Sequence, residues 1–458
     1  MPRTASLLGA AGVLVTLAGC RQFLDSKNLK HNPNDPQVAP TGALFVAAQI
    51  NFYSQQEGQL GRTVAIWVEQ FSGQTSPFNT LGSFYQYGVD DYYDNWARYY
   101  GGGGLIDLRT IEQRSLALGD SIFAGQAMVL EVIDMSQLAD VWGDVPYTQA
   151  AQPSTYPHPK ADAQQFVYDS LLHKLTTAIA FLADTAPAHL ATNAGAGGAF
   201  DFTYGGASSL DAESAAWIAL AHTLRARIFM HMAAKLGPAM YDSALADATL
   251  GIADPSGAGD FVTEHNATAV TANIWSDLQS IYPGYIVANA TMINLMNASS
   301  DPRLPAYWTP ATGTTYIGAP YNVVVTTPVS QLSGTRTAQT FSQPVVTYAE
   351  NTLILAEASC QLGNAPNALA YLQQEQAAAG AAQATTASLQ AIMNEKYVAL
   401  FQTLETWNDY KRTGFPTLAG TPPRRLTYPA TEREANPNTP ADGARNWNDT
   451  GPVSSNCG

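Results

Sequence analysis

The sequence predicts an all-α fold, an irregular helical body of helix hairpins separated by long aromatic-rich loops. Three observations predict it. Apolar residues recur at three- and four-residue steps through most long segments, the period of a helix that buries one face. Those segments close on turns containing glycine or proline, which end a helix and let the next fold back. Between them lie stretches rich in Tyr, Phe, Trp, Gly and Pro with no helical period. With 46% hydrophobic and 10% aromatic residues in 458, the chain can bury a large core.

The chain opens with MPRTASLLGAAGVLVTLAGC, in which Arg3 precedes an uncharged apolar run. That pattern is a secretory signal, too short to span a bilayer. Leu17, Ala18 and Gly19 place small residues before Cys20, the arrangement at which bacterial lipoproteins are cut and acylated. Residues 1–19 are therefore expected to be removed, Cys20 to become a lipidated N-terminus, and 20–40, with "HNPNDPQVAP", to act as a spacer. Residues 41–458 are expected to form one α-helical domain.

The first helix falls at 43–53. The next strong pattern, 127–142, sets Met128, Val132, Met135, Leu138 and Trp142 on one stripe and Glu131, Asp134, Gln137 and Asp140 on another, which predicts an amphipathic helix. It closes on "DVWGDVPY", where Gly143 can take positive φ and Pro146 blocks resumption. Further helices are predicted at 164–183, at 214–236 before Gly237 and Pro238, at 289–297, and at 348–362 before Gly363 and Pro366, resuming as "NALAYLQQEQAAA". The last, at 388–410, aligns Met393, Tyr397, Leu400, Leu404 and Trp407 and stops near Gly414. Paired helices across short turns read as tetratricopeptide-like hairpins, without a clean repeat length. Loops are expected at 73–104, 186–210 and 301–343, and loops of such length are usually functional; a short hairpin is allowed for in "YNVVVTTPVSQ".

A formal charge of −15 and a pI near 4.7, without a basic cluster beyond "PPRR", exclude nucleic acid as a natural partner. Once Cys20 is modified only Cys360 and Cys457 remain. Pairing between them is open in an oxidising compartment, but Cys360 reads first as a small apolar residue of its helix.

A family resemblance follows from the order of several motifs. "NPN" at 32–34, "DVWGDVPYTQA", "WIALAHTLRARIFMHMA", "DPRLPAYW", "YAENTLILAEA" and "NEKYVALFQTLETWNDYKRTGFP" together resemble the SusD/RagB nutrient-binding lipoproteins of the bacterial outer membrane, in the branch with a Trp-Gly-Asp-Val-Pro-Tyr-like turn. The resemblance runs from Cys20 to about Leu418. It implies an all-helical body, anchored by lipid at the cell surface, that packs on a TonB-dependent outer-membrane transporter of the SusC type and delivers captured oligosaccharide, sometimes peptide, to it. It makes the Trp142 to Tyr147 turn scaffold, and has Asp409, Lys411 and Arg412 tie the last helix to its neighbours. The stretch "RQFLDS" after Cys20 lacks an acidic cluster of the kind that sends such lipoproteins to the outer leaflet, so membrane attachment follows more directly than surface display.

Sugar rings present apolar C–H faces rimmed by hydroxyls, so a glycan site needs aromatic platforms beside side chains that donate and accept hydrogen bonds. Residues 73–104 supply Phe78, Phe84, Tyr85, Tyr87, Tyr92, Tyr93, Trp96, Tyr99 and Tyr100 among Gln, Asn and Asp; other loops add Tyr282, Tyr285, Tyr307, Trp308, Tyr316 and Tyr321. The rings expected to meet ligand are Phe78, Tyr85, Tyr87, Trp96 and Trp308. No zinc helix, nucleophile elbow or phosphate loop is present in the sequence, so no catalysis, catalytic residue or cofactor is expected, with calcium left open at the acidic loops. The rival readings are a helical glycoside hydrolase using Asp90, Asp91, Asp94 or Glu264 and an assembly adaptor of the same transporter that holds protein rather than nutrient.

Overall fold

The computed structural model describes residues 39–185, 200–268, 271–443 and 445–457. The signal peptide, Cys20, the spacer up to 38 and most of the Gly/Ala-rich stretch after 185 lie outside the described residues. The chain runs through α1 (Thr41–Glu57), α2 (Gln59–Trp67), β1 (Phe71–Gly73), a π-helical turn (Asn79–Ser83), α3 (Tyr93–Tyr100), α4 (Leu105–Leu118), α5 (Ser121–Trp142), β2 (Val145–Pro146), β3 (Ala161–Asp162), α6 (Gln164–Leu182), α7 (Leu210–Leu236) and α8 (Ala239–Ala248). It continues with β4 (Phe261–Val262), α9 (Ile274–Ile281), β5 (Ile286–Ala288), α10 (Ala290–Ala298), α11 (Leu304–Tyr307), β6 (Trp308–Thr309), β7 (Gln331–Leu332), β8 (Pro344–Val346), α12 (Tyr348–Gln361), α13 (Ala365–Ala378), α14 (Leu389–Ala399), α15 (Glu405–Thr413) and α16 (Ala430–Ala435).

The fold is all-α, and its strands make only two-stranded antiparallel ribbons between helices. Helices α4 and α5, α7 and α8, and α12 and α13 pack as hairpins across short turns. Side-chain caps set several starts: Asp120 accepts from Phe123 N–H, Ser209 from Ala212, Thr347 from Glu350 and Ser388 from Ala391, each satisfying an amide that the helix itself leaves unpaired.

Helix α5 is the axis of the body. Its length and apolarity would suffice to cross a membrane, yet it is wholly covered by protein. The expected polar face does not reach water: Glu131, Asp134, Gln137 and Asp140 are all buried. Protein surrounds α5, so Glu131, Gln137 and Asp140 find internal partners instead, the Tyr147 hydroxyl donating to Glu131, the Gln56 amide to Gln137 and the Tyr168 hydroxyl to Asp140. Burial and the neighbouring Glu131 push Asp134 well above the ordinary carboxylate range, which keeps a carboxyl neutral inside an apolar core.

Three further expectations change. The helix expected over 388–410 is two helices, α14 and α15, separated at 400–404, with Gln402 at φ +70°. No Gly or Pro marks that break. Tertiary bonds make it, as Gln402 N–H donates to Gln70, the Gln343 amide to Phe401 C=O and the Arg336 guanidinium to Gln402. The stretch 321–331 does not fold on itself; its end pairs with the segment at Trp308, Trp308 opposite Leu332. Cys360, read first as a packing residue, is bonded to Cys457 with Cα atoms 4.9 Å apart, clasping the C-terminal tail to α12.

Candidate functional site

The antiparallel pairing of β1 and β5 sets Phe71 opposite Ala288 and Gly73 opposite Ile286, so the loop leaving β1 and the loop entering β5 emerge at one end. Gln74 joins them: its N–H donates to Tyr285 C=O, while its side-chain amide donates to Val323 C=O and accepts from Val325 N–H. Loops 74–88, 282–285 and 316–325 thereby form one surface. On it Phe84 is 38% exposed, Tyr282 45% and Val324 54%. Phe78, Tyr85, Tyr285 and Tyr321 are half-buried, with Tyr85 and Tyr321 rings 6.0 Å apart, Tyr282 and Tyr285 5.1 Å apart, and the Arg62 guanidinium 5.9 Å over Phe78. Exposed and half-buried rings beside amides and a guanidinium are the kind of platform that stacking on sugar C–H faces requires.

The five rings chosen from the sequence fall in four places. Phe78 and Tyr85 stand on this surface. Tyr87 follows it inward, its hydroxyl donating to Arg425 C=O and its ring packing 5.6 Å from Trp67. Trp96 lies on α3, 5% exposed, in the wall of a separate apolar cleft of about 370 Å³ with Tyr100, Pro146 and Ala150, and its indole N–H donates to Glu432 at 3.2 Å. Trp308 offers no face to ligand. It is 1% exposed and packs 5.1 Å from Phe71 and 5.0 Å from Phe401 in the main core, because β6 turns it inward. Phe84, Tyr282 and Tyr321 join the surface in its stead. Composition and spacing showed that they were loop aromatics; which loop rings stay uncovered depends on the β1–β5 register and on Gln74, which no local pattern reveals.

The turn after α5 is scaffold. Trp142 and Tyr147 are buried, the Trp142 indole donates to Thr427 C=O, Gly143 sits at φ +83°, and Val145–Pro146 pairs with Ala161–Asp162. The motif at 409–412 also works as expected. Lys396 and Arg412 both meet Asp409, Arg412 forks onto Glu357, and Lys411 Nζ donates to Asp140 C=O at 2.8 Å. Beside it, His231 lies between Asp140 (Nδ1, 3.0 Å) and Glu405 (Nε2, 2.8 Å). These three residues offer ligand atoms within 4.8 Å of one another. Each imidazole nitrogen serves a different carboxylate, so the group is an ion-paired chain, and a nitrogen donor does not suit calcium. Of the acids a hydrolase would use, Asp90 and Asp94 are exposed and Asp91 accepts from Gly88 N–H as a loop cap.

The fold and this surface define a class: a helical-hairpin body that displays loop aromatics at one end. The family of SusD-like proteins described as "Starch-binding associating with outer membrane" matches residues 33–363 and 358–429, and the chain belongs to that family. It is similar in fold to a SusD/RagB family protein from Bacteroides thetaiotaomicron (TM-score 0.71, 19% identity, 91% of this chain and 100% of that one). It is similar likewise to a chitin-binding SusD homolog from Flavobacterium johnsoniae (TM-score 0.71, 19% identity, 90% and 99%) and to a chitin-binding protein (TM-score 0.70, 22% identity, 87% and 94%). No curated protein matches the chain.

Proposed function

We propose that the chain is a lipid-anchored binding protein of the outer-membrane surface, which captures oligosaccharide on the Phe78–Tyr85–Tyr321–Tyr282 surface and delivers it to a TonB-dependent transporter without altering it. The observation that carries this reading is the convergence of three loops at one end of the β1–β5 ribbon, each contributing exposed or half-buried rings. The family's description as starch-binding and the chitin-binding relatives of the same fold support a glycan as the ligand class. Half-buried rings need little side-chain ordering when a sugar arrives, which favours capture of a flexible polymer.

The test is retention of the purified chain on insoluble chitin and on starch. Retention on at least one, displaced by its soluble oligosaccharide and accompanied by no new reducing ends, is the expected result; a double change Phe84→Ala, Tyr282→Ala abolishes it without moving the melting temperature. Release of reducing ends that disappears in Asp91→Asn would establish the hydrolase reading instead.

A further inference from the structure

The aromatic surface rests on an acid that never reaches it. Glu69 follows α2, is 0% exposed, and holds φ +58°, the left-handed region that a residue with a long side chain seldom occupies. Strain of that kind persists where surrounding bonds enforce it, and it is a pointer to function. Among the described residues the carboxylate is met by hydrogen-bond donors rather than a cation. The Thr291 hydroxyl donates to Oε2, Ala419 N–H donates to Oε2 at 3.1 Å, and Gly420 N–H to Oε1 at 2.7 Å.

Those three donors belong to the two sides of the surface. Thr291 stands at the start of α10, directly after the ribbon strand that Tyr282 and Tyr285 precede. Gly420 lies under the other pair: a methyl group built on it would come 2.5 Å from the Tyr321 ring and would also strike the Tyr85 hydroxyl. Any side chain at 420 must therefore push Tyr85 and Tyr321 outward, and Gly420 can fill that gap only while its backbone is held down. Successive amides on one buried carboxylate are charge-assisted bonds, stronger than neutral ones and costly to leave unmade.

We propose that Glu69 is a positioning residue for ligand recognition: through the Ala419 and Gly420 amides it seats the backbone beneath Tyr85 and Tyr321, and so fixes the spacing of the two rings on which sugar stacks. This rests on the glycan-binding reading of the surface. Pre-set rings bind more tightly than rings that must be ordered on contact, so releasing them is expected to weaken capture by about tenfold or more.

The test uses the mature chain as wild type, Glu69→Gln, Gly420→Ala and Tyr321→Ala, titrated with chitohexaose and maltohexaose. In parallel, fluorine NMR of 3-fluorotyrosine-labelled protein is recorded without ligand, the Tyr85 and Tyr321 resonances being assigned by Tyr→Phe changes. Gly420→Ala leaves Glu69 intact and so reports on the rings even where Glu69→Gln lowers the folded yield. The expected result is displaced or doubled Tyr85 and Tyr321 resonances in both Glu69→Gln and Gly420→Ala, with affinity down about tenfold and melting temperature held in Gly420→Ala. Unmoved resonances overturn the positioning role by themselves, as does unchanged affinity in both variants where Tyr321→Ala has lost it. Full affinity in Tyr321→Ala overturns the glycan surface, and the recognition role of Glu69 with it.

Discussion

His231 shows how far a single side chain can be moved by its neighbours in this fold. Burial alone would lower its affinity for a proton, but the Asp140 and Glu405 carboxylates on either side outweigh burial and lift it to about 10 from 6.5. Glu405 is held below the usual carboxylate range: burial opposes this, and His231, Arg227 and Lys396 prevail. A raised folded pKa contributes stability that is complete below the unfolded value and is lost as pH rises through the folded one. The melting temperature should therefore decline between about pH 6.5 and 10, and differential scanning should find that decline flattened in His231→Gln; an equal slope in both would remove His231 from the account. Also at this scale, the Cys360–Cys457 bond closes a sequence separation of 97, for which loop entropy gives a stabilisation of about 4–5 kcal/mol as an upper figure. Cys457→Ser should accordingly lower the denaturant midpoint of non-reduced protein and leave that of reduced protein nearly unchanged. Two cysteines able to pair were legible in the sequence. Their pairing was not, since nothing in the Asn/Pro-rich tail announces that Val453 N–H bonds Arg412 C=O and the Asn456 amide bonds Gln361 C=O, laying Cys457 against α12.

Helix boundaries followed local chemistry closely where glycine and proline set them, as at Gly143, Gly237 and Gly363, all at positive φ. At Gly143 the conformation and the space both demand glycine, because an added Cβ would lie 2.7 Å from Asn446 Oδ1. Gly143→Ala should cost about 1–3 kcal/mol in chemical denaturation with glycan affinity unchanged, since the turn is scaffold. The break between α14 and α15 was illegible for the opposite reason: it is made by Gln70, Gln343 and Arg336, far away in sequence. The stripe on α5 was read correctly as apolar. The burial of its polar stripe was not legible, because a period separates two faces of a helix but cannot tell water from a buried partner.

At the scale of the whole molecule, the hairpins and the concentration of aromatics in loops could be read from the sequence, while which rings stay uncovered could not. Phe78 and Tyr85 sit where loops 74–88 and 316–325 meet, Trp96 walls a different cleft, and Trp308 is core; all five have the same loop-aromatic signature in sequence. The proposed lipid anchor belongs to this scale as well. Intact mass of the protein extracted from membranes should correspond to a chain beginning at Cys20 with acyl groups added, and Cys20→Ala should release it from the membrane fraction. The central claim, that glycan is captured by the convergent loop aromatics, is tested most directly by hydrogen–deuterium exchange of the mature chain with and without a bound chito- or malto-oligosaccharide. Protection gathered in 74–88, 282–285 and 316–325 is the predicted result, and protection confined to the Trp96 cleft, with those loops exchanging as before, would contradict it.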